Sequence, residues 1–326
     1  MRAAVAIAQH PDDPLRGLSL QEVPEPTARP GWARVRVHAA ALNPHDTWTL
    51  RGVGHPAERI PIVLGCDAAG ITDDGREVVI HPVMGDAARG GGDQTLDPQR
   101  ALLSETIDGA LADYIVVPDE MLVPKPASLS WAESGALGVA WGTAYRMLFT
   151  RAGLSAGDRV LVQGASGGVG SAAVALARAA GARVYATART PEKRRFAEGC
   201  GATAAFAPGE RLPEKVDVVV ETVGEATWGH SLRSLRPGGI IVIAGATSGG
   251  MPAAELQRVF YQQLRISGST GCTRSEFEAM LRLVEVSGIR PTVETLSFDE
   301  IPAGFQRLLH GDVLGKLVVD LTVGRS

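Results

Sequence analysis

The chain has 326 residues, 45% hydrophobic and 21% charged, with a formal net charge of −4. That length allows two domains with sizeable cores, and the composition is that of an ordinary globular protein. Acids and bases are mixed along the chain with no basic stripe, so no nucleic-acid partner is expected. No run of about eighteen apolar residues offers a membrane span.

The opening stretch, MRAAVAIAQHPDD, passes from a short apolar run straight into charge. The run is too short for a signal peptide, so a cytoplasmic protein is expected. Three scattered cysteines, Cys66, Cys200 and Cys272, argue against a disulfide framework and for a reducing compartment.

Residues 1–125 read as β-rich. The runs RAAVAIA, ARVRVHAAAL, EVVIHPV and ADYIVVP are separated by Pro, Gly and Asp clusters, the pattern of a barrel or sandwich. Within this part, LGCDAAG at 64–70 sets Cys66 before Asp67. The pair could ligate a metal, form a reactive thiol, or simply be small residues in a tight turn. Residues 86–109 have weak periodicity and much Gly and Asp, which predicts a long surface loop.

From Ser155 onward the texture changes. DRVLVQG predicts a strand, GSAAVALARAAG a small-faced helix, ARVYATA a strand and PEKRRFAEG a helix with Pro in its first turn. ATAAFAP and VDVVVETVG predict strands, ATWGHSLRSL a helix, GGIIVIAGAT and LRISGST two more strands. Strands alternating with helices predict an α/β doubly wound parallel sheet, and six strands fit the dinucleotide-binding (Rossmann) version. The tail, 271–326, breaks the alternation and is expected to fold back onto the first domain. The predicted division is therefore 1–125 with 271–326, and 126–270.

The strand VLVQ runs into Gly164, Ala165, Ser166, Gly167, Gly168, Val169 and Gly170, and then into a helix. Glycines there permit a tight turn and close backbone approach to a pyrophosphate at the helix N-terminus. The competing reading is a tight turn with no ligand. The strand–loop–helix context inside a six-strand alternation favours the phosphate site. An NAD site would place an acid at the end of the second strand. Here Ala188 stands there, followed by Arg189, Lys193, Arg194 and Arg195. These cations suit a ribose 2′-phosphate, so NADPH is the expected cofactor, with Arg189 as the leading contact.

Taken together, NPHDTWTLRG at 43–52, the glycine turn at 65–70, GTAY at 142–145, GASGGVG at 164–170 and GKLVV at 315–319 resemble the medium-chain dehydrogenase/reductase superfamily. The resemblance covers essentially the whole chain and implies a GroES-like barrel domain beside the Rossmann domain. In the zinc branch the ligands would fall at Asn43, Cys66 and near Val139, which cannot make a catalytic zinc site. No metal is expected, and the zinc-independent, quinone-oxidoreductase-like branch matches better. Asn43, Pro44 and Asp46 match its cleft segment, whereas Trp48 stands where a Tyr is common.

The resemblance implies that Thr143 packs by the nicotinamide. It places Gly245, Ala246, Thr247, Ser269, Thr270 and Gly271 along the cofactor, and leaves Lys316 either at a phosphate or at the surface. Without zinc, the charge developing on a substrate oxygen needs hydrogen-bond donors. Asn43 and Trp48 offer N–H groups, His45 a proton source, and Asp46 an orienting acid. A structural role for His45 stands beside that reading, and His55 is a weaker candidate. The expected reaction is reduction of a quinone or α,β-unsaturated carbonyl. The alternatives are a metal-free alcohol dehydrogenase or ketone–aldehyde reductase, and an NADPH-binding sensor or scaffold. Sheet-edge pairing in the family implies a homodimer.

Overall fold

The computed structural model describes residues 1–323 and divides into two compact units. The first comprises Met1–Val139, Thr273–Glu278 and the described residues from Arg290 on; the second comprises Ala140–Cys272 and Ala279–Ile289. The division thus falls at 139/140 rather than at 125/126. The helix Arg274–Ser287, placed wholly with the first domain from sequence, contributes residues to both units.

The first unit is built around the strand Trp32–Ala41. Its alternation is that of a strand with one solvated face: Val35 and Val37 are buried, Arg36 between them is exposed. Asp67–Thr72 pairs antiparallel with it on one side, setting Ala41 opposite Asp67. On the other side lie Tyr114–Pro118 and, near the strand's end, Lys316–Asp320, also antiparallel, with Ala41 opposite Val318. The tail strand is therefore an interior member of this sheet. Its Leu317 joins Leu42, Leu64, Ile80, Leu111 and Phe305 in the core.

Residues 86–109 are not merely a surface loop. The glycine-rich first part is largely exposed, but a short helix, Gln94–Leu96, and a strand, Ala101–Leu102, follow. Asp97, Leu103 and Ser104 are fully buried. Asp97 organises the turn, accepting from Arg89 and from the backbone N–H groups of Asp86 and Gln99. That bonding holds the Asp97 carboxyl well below the usual carboxylate range, with the Arg89 guanidinium as the leading cause. Composition hid this because the buried side chains come after the glycines.

The second unit holds a six-stranded sheet, all pairings parallel. Its order is Ala204–Phe206, Arg183–Thr187, Arg159–Val162, Val216–Glu221, Leu235–Ile243, Arg265–Gly268, with the chain reversing direction beside Arg159–Val162. This is the doubly wound dinucleotide-binding order. Val216–Glu221 is buried at every position, which explains its continuous apolar run. Helices Gly168–Ala179, Pro191–Gly199 and Glu225–Ser234 form the predicted crossovers. No helix among the described residues is long and apolar enough to cross a membrane.

Candidate functional site

In the first unit, strand register alone brings together residues far apart in sequence. Asn43 lies just beyond the end of Trp32–Ala41. Asp67 opens one flanking strand and Lys316 opens the other. All three are buried. The Lys316 ammonium donates to the Leu42 carbonyl at 3.0 Å, to Asn43 Oδ1 at 2.5 Å and to Asp67 Oδ2 at 3.0 Å. Asn43 Nδ2 donates to Ala41 O at 3.2 Å and to Asp67 Oδ2 at 3.0 Å. The other Asp67 oxygen accepts the Val139 N–H at 2.5 Å.

Two expectations change here. Lys316 is neither at the surface nor offered to a phosphate, because its three protons all have internal acceptors. Both amide protons of Asn43 are engaged as well, leaving none for a substrate oxygen.

Asn43 also begins the helix Pro44–Arg51, with Pro at its first position. Asp46 reaches back from that first turn to accept the Asn43 N–H at 2.9 Å, and its other oxygen accepts the Gly65 N–H at 2.9 Å. Burial pushes its carboxyl pKa up, against the pull of His45 and these N–H groups. Asp46 thus ties the helix start to the glycine turn instead of orienting a ligand. Trp48, on the same helix, is 39% exposed, and no hydrogen bond to its indole is found among the described residues.

Cys66 is fully buried. Its thiol donates to Leu103 O at 3.1 Å, and His45 Nδ1 lies 3.2 Å from the sulfur. His45 Nε2 lies 2.8 Å from Glu105 Oε1. The single thiol proton can serve Leu103 O or Nδ1. The Glu105 carboxylate is an acceptor. Both ring nitrogens are thus engaged within the protein, Nε2 with Glu105 and Nδ1 with Cys66. Burial works against a charge on the ring, but the Glu105 hydrogen bond and the charges of Asp46, Glu105 and Asp67 outweigh it and raise the His45 pKa. His45 is held on both sides, and neither nitrogen is left to serve a substrate as a proton source. Burial and the neighbouring carboxylates push the Cys66 thiol well above its ordinary pKa, the opposite of what a nucleophile needs.

Glu105 was missed from sequence because it sits in the stretch that composition marks as loop. Asp67 and Lys316 are 249 residues apart, and nothing local joins them.

Neither set of possible ligands fits catalytic zinc. Asn43, Cys66 and Val139 supply an engaged amide, a protonated thiol and a backbone N–H. The ligand atoms of His45, Asp46 and Cys66 lie within 4.8 Å of one another. There, however, His45 is already bonded on both ring nitrogens, both Asp46 oxygens hold backbone N–H groups, and burial holds the thiol protonated.

In the second unit the expected cofactor residues gather just past the carboxyl ends of the parallel strands, where doubly wound sheets bind ligands. Gly164 follows Arg159–Val162 with φ +66°, and a Cβ there would meet Val223 Cγ2 at 2.8 Å. A Cβ on Gly170 would lie 2.5 Å from the Gly164 carbonyl, so strand, turn and helix can approach only as glycine. Gly167 caps the helix without a side-chain hydrogen bond, leaving its first N–H groups for an anion. Ala165 and Thr143 are buried, while Ser166, Gly168 and Val169 are partly exposed. Gly245, Ala246 and Thr247 follow Leu235–Ile243, and Thr247 bonds back to Thr222 O at 3.4 Å. Ser269, Thr270 and Gly271 follow Arg265–Gly268, and the buried Ser269 Oγ has no partner among the described residues. These features fit a dinucleotide.

Past Ala188, Arg189 is exposed, and Arg194 folds back so that Nη1 donates to Ala188 O at 3.1 Å. Arg194, rather than Arg189 alone, therefore stands at the end of the second strand. Lys193 sits in the first turn of the same helix, its N–H accepted by the Thr190 hydroxyl.

Beneath these loops lies a polar network that sequence reading did not identify. Buried Glu221 accepts from the N–H groups of Val223 and Gly224 and from the hydroxyls of Thr227 and Ser231. Gln163 donates to Ser231 Oγ and His230 Nδ1, each at 3.0 Å, and accepts from Thr187 Oγ1 at 2.5 Å. His230 Nε2 donates to Glu210 O at 2.8 Å, and burial lowers its pKa, so this ring is neutral. The only hint in the sequence was an acid closing the apolar run VDVVVE.

Comparison with known proteins agrees with this architecture. Residues 29–127 match the alcohol dehydrogenase GroES-like domain, and residues 168–286 match the zinc-binding dehydrogenase family. An acryloyl-coenzyme A reductase of Metallosphaera sedula is 33% identical, covering 93% of this chain and 96% of its own. A quinone oxidoreductase of Pongo abelii is 30% identical, covering 93% of each. Among solved structures, an NAD-dependent alcohol dehydrogenase superposes with a TM-score of 0.92 at 34% identity, covering 99% of this chain and 100% of its own. A 2-octenoyl-CoA carboxylase reductase in complex with NADP and 2-octenoyl-CoA superposes with a TM-score of 0.90 at 26% identity, covering 100% and 88%. With its GroES-like and Rossmann units both matched, the chain is an oxidoreductase belonging to the medium-chain dehydrogenase/reductase superfamily.

Proposed function

We propose that the protein is an NADPH-dependent, metal-independent reductase of quinones or α,β-unsaturated carbonyl compounds. The observation that carries this reading is the closed hydrogen-bond set at Asn43, Cys66 and Val139. The residues at the family's metal positions are bonded through Asp67, Lys316 and Leu103, leaving no ligand set for a Lewis acid. A conjugated acceptor suits such a site, because its delocalisation spreads the charge that a simple ketone would concentrate on one oxygen. The quinone oxidoreductase and acyl-CoA reductase relatives support the same substrate class.

A nicotinamide cofactor bound on the glycine turn would supply the hydride. The chain's own part is to bind the pyrophosphate at Gly167–Gly170, to line the remaining strand ends with Thr143, Gly245–Thr247 and Ser269–Gly271, and to meet a 2′-phosphate with Arg194, Arg189 and Lys193. The solved NADP complex supports that choice, while the NAD-dependent relative marks the competing one. The latter also supports a second reading, a metal-free alcohol dehydrogenase or ketone–aldehyde reductase.

We place the protein in the cytoplasm as a homodimer. Arg265–Gly268 is the outer strand of its sheet, and Leu256, Phe260 and Tyr261 of the preceding helix are each at least 70% exposed. An open apolar edge of this kind calls for a partner.

The test is oxidation of NADPH and NADH by chelator-treated enzyme with a small quinone, an enone and a saturated aldehyde. Turnover with NADPH and the quinone or enone is expected. Activity confined to the aldehyde or to NADH, or abolished by the chelator, overturns the substrate, cofactor or metal-independent part respectively. Cofactor binding without any turnover would point to a sensor.

A further inference from the structure

The polar network of the second unit has one member whose side chain joins two strands and a helix. Gln163 stands between the strand Arg159–Val162 and Gly164, and it is fully buried. Its Nε2 donates to His230 Nδ1 and Ser231 Oγ of the helix Glu225–Ser234. Its Oε1 accepts from Thr187 Oγ1, at the end of the strand Arg183–Thr187.

The network allows this amide one orientation. The Glu221 oxygen 2.6 Å from Ser231 Oγ can only accept, so the Ser231 proton lies there and the hydroxyl faces Gln163 as an acceptor. The Glu210 carbonyl likewise takes the proton of His230 Nε2, and Nδ1 of the neutral ring accepts. The amide must turn its NH2 group to these two and its oxygen to Thr187.

The backbone repeats the tie. Gln163 N–H donates to Val220 O and Ala165 N–H to Thr187 O, both at 3.0 Å. Thr187 is thus bonded on both sides of Gly164, to a side chain before it and a backbone N–H after it. The next residue, Ala188, gives its carbonyl to Arg194 Nη1 at 3.1 Å. Bonded residues therefore run without a break from the glycine turn through Thr187 to the guanidinium at the strand end. The turn needs such a tie, because its glycines let backbone approach closely but bring no side chains to fix it in place.

We propose that Gln163 is a positioning residue for the dinucleotide: its side chain fixes the glycine turn against the end of Arg183–Thr187, and so sets the spacing between the groups that take the pyrophosphate and those that take the 2′-phosphate. This rests on the NADPH reading above and deepens it. Gln163 acts through the turn and through Thr187, since its side-chain partners Thr187, His230 and Ser231 are themselves buried. A nucleotide without the 2′-phosphate does not report on that spacing. For one that carries it, any slip between the two places lowers affinity.

The experiment titrates NADP⁺ and NAD⁺ calorimetrically into wild type, Gln163→Met, Thr187→Val and Thr187→Ser, each well below its unfolding temperature. Wild type should prefer NADP⁺. Gln163→Met keeps the length of the side chain and removes its hydrogen bonds; it should weaken NADP⁺ about tenfold and NAD⁺ by no more than about twofold. Thr187→Val breaks the same bond from the other side and should show a selective loss in the same sense, which decides the matter should Gln163→Met not fold. Thr187→Ser keeps the hydroxyl and should bind as wild type does. Gln163→Met combined with Thr187→Val should lose little more than Gln163→Met alone, because one bond cannot be broken twice.

A merely structural role would lower the unfolding temperature and leave the ratio of NADP⁺ to NAD⁺ affinity as it is. An unchanged ratio in Gln163→Met or in Thr187→Val, or fully additive losses in the double variant, overturns the assignment and leaves the cofactor reading in place. Wild type that binds NAD⁺ as tightly as NADP⁺ overturns the NADPH reading, and this proposal with it.

Discussion

Each unit buries a polar network at the ends of its strands, and the two are built on different electrostatics. In the first unit the members pair opposite charges: Lys316 with Asp67, and, when its ring is protonated, His45 with Glu105. In the second unit a single carboxylate, Glu221, is satisfied by backbone N–H groups and hydroxyls, and the histidine at the far end, His230, is neutral. A buried ion pair is costly to break because the remaining charge has no solvent to turn to, whereas a relay of neutral donors loses one bond at a time. The charged network should therefore act as a unit and the neutral one in graded steps.

The largest effect is expected at Lys316→Met, which leaves Asp67, 0% exposed, without its cation. Urea unfolding should show a loss of about 3–5 kcal/mol. Replacing Asp67 by Leu in the same chain should restore only part of this, because Asn43 Nδ2 and the Val139 N–H lose their acceptor. A loss below about 1 kcal/mol for Lys316→Met would erase the distinction between the networks, since that is no more than one neutral hydrogen bond.

Glu221→Gln should cost less, about 2 kcal/mol in the same assay. One side of the new amide would confront donors where the carboxylate accepted them. A cost equal to that of Lys316→Met would mean that the second network is as tightly coupled as the first.

The smallest effect is expected at the His45–Glu105 pair, and pH reveals it. The His45 pKa is raised on folding, so its contribution is full below its unfolded value of about 6.5 and is lost as pH rises through the folded value. Burial opposes ionisation of Glu105, but the His45 and Leu102 hydrogen bonds prevail and lower its pKa. Its contribution is full above its unfolded value of about 4.5 and is lost as pH falls through the folded value. Both are fully present between about pH 4.5 and 6.5. Glu105→Gln should flatten both limbs of a Tm-against-pH curve and cost about 1 kcal/mol inside that window. An unchanged curve would show that His45 is not charged.

Most of the second unit was legible in the sequence, because its signals are local. GASGGVG works within a single strand–turn–helix, where a Cβ at Gly164 or Gly170 would collide with atoms a few residues away or on the adjacent loop. VDVVVE reads as a central strand because both of its faces are covered. The candidate chemistry of the first unit was much less legible. Asn43, His45 and Asp46 were singled out as catalytic candidates, but their donors and acceptors prove to be taken by Asp67, Lys316, Gly65, Cys66 and Glu105. Nothing in NPHDTW states that.

By itself the sequence determined what short-range sterics and periodicity can encode: the glycine turn, the alternation of strands and helices, the missing acid at Ala188, and the absence of three zinc-type donors at the metal positions. The tertiary structure decided which side chains are already engaged within the protein. That depends on register between strands such as Trp32–Ala41 and Lys316–Asp320, nearly three hundred residues apart, and a hydrogen bond across such a gap leaves no trace in the residues beside it.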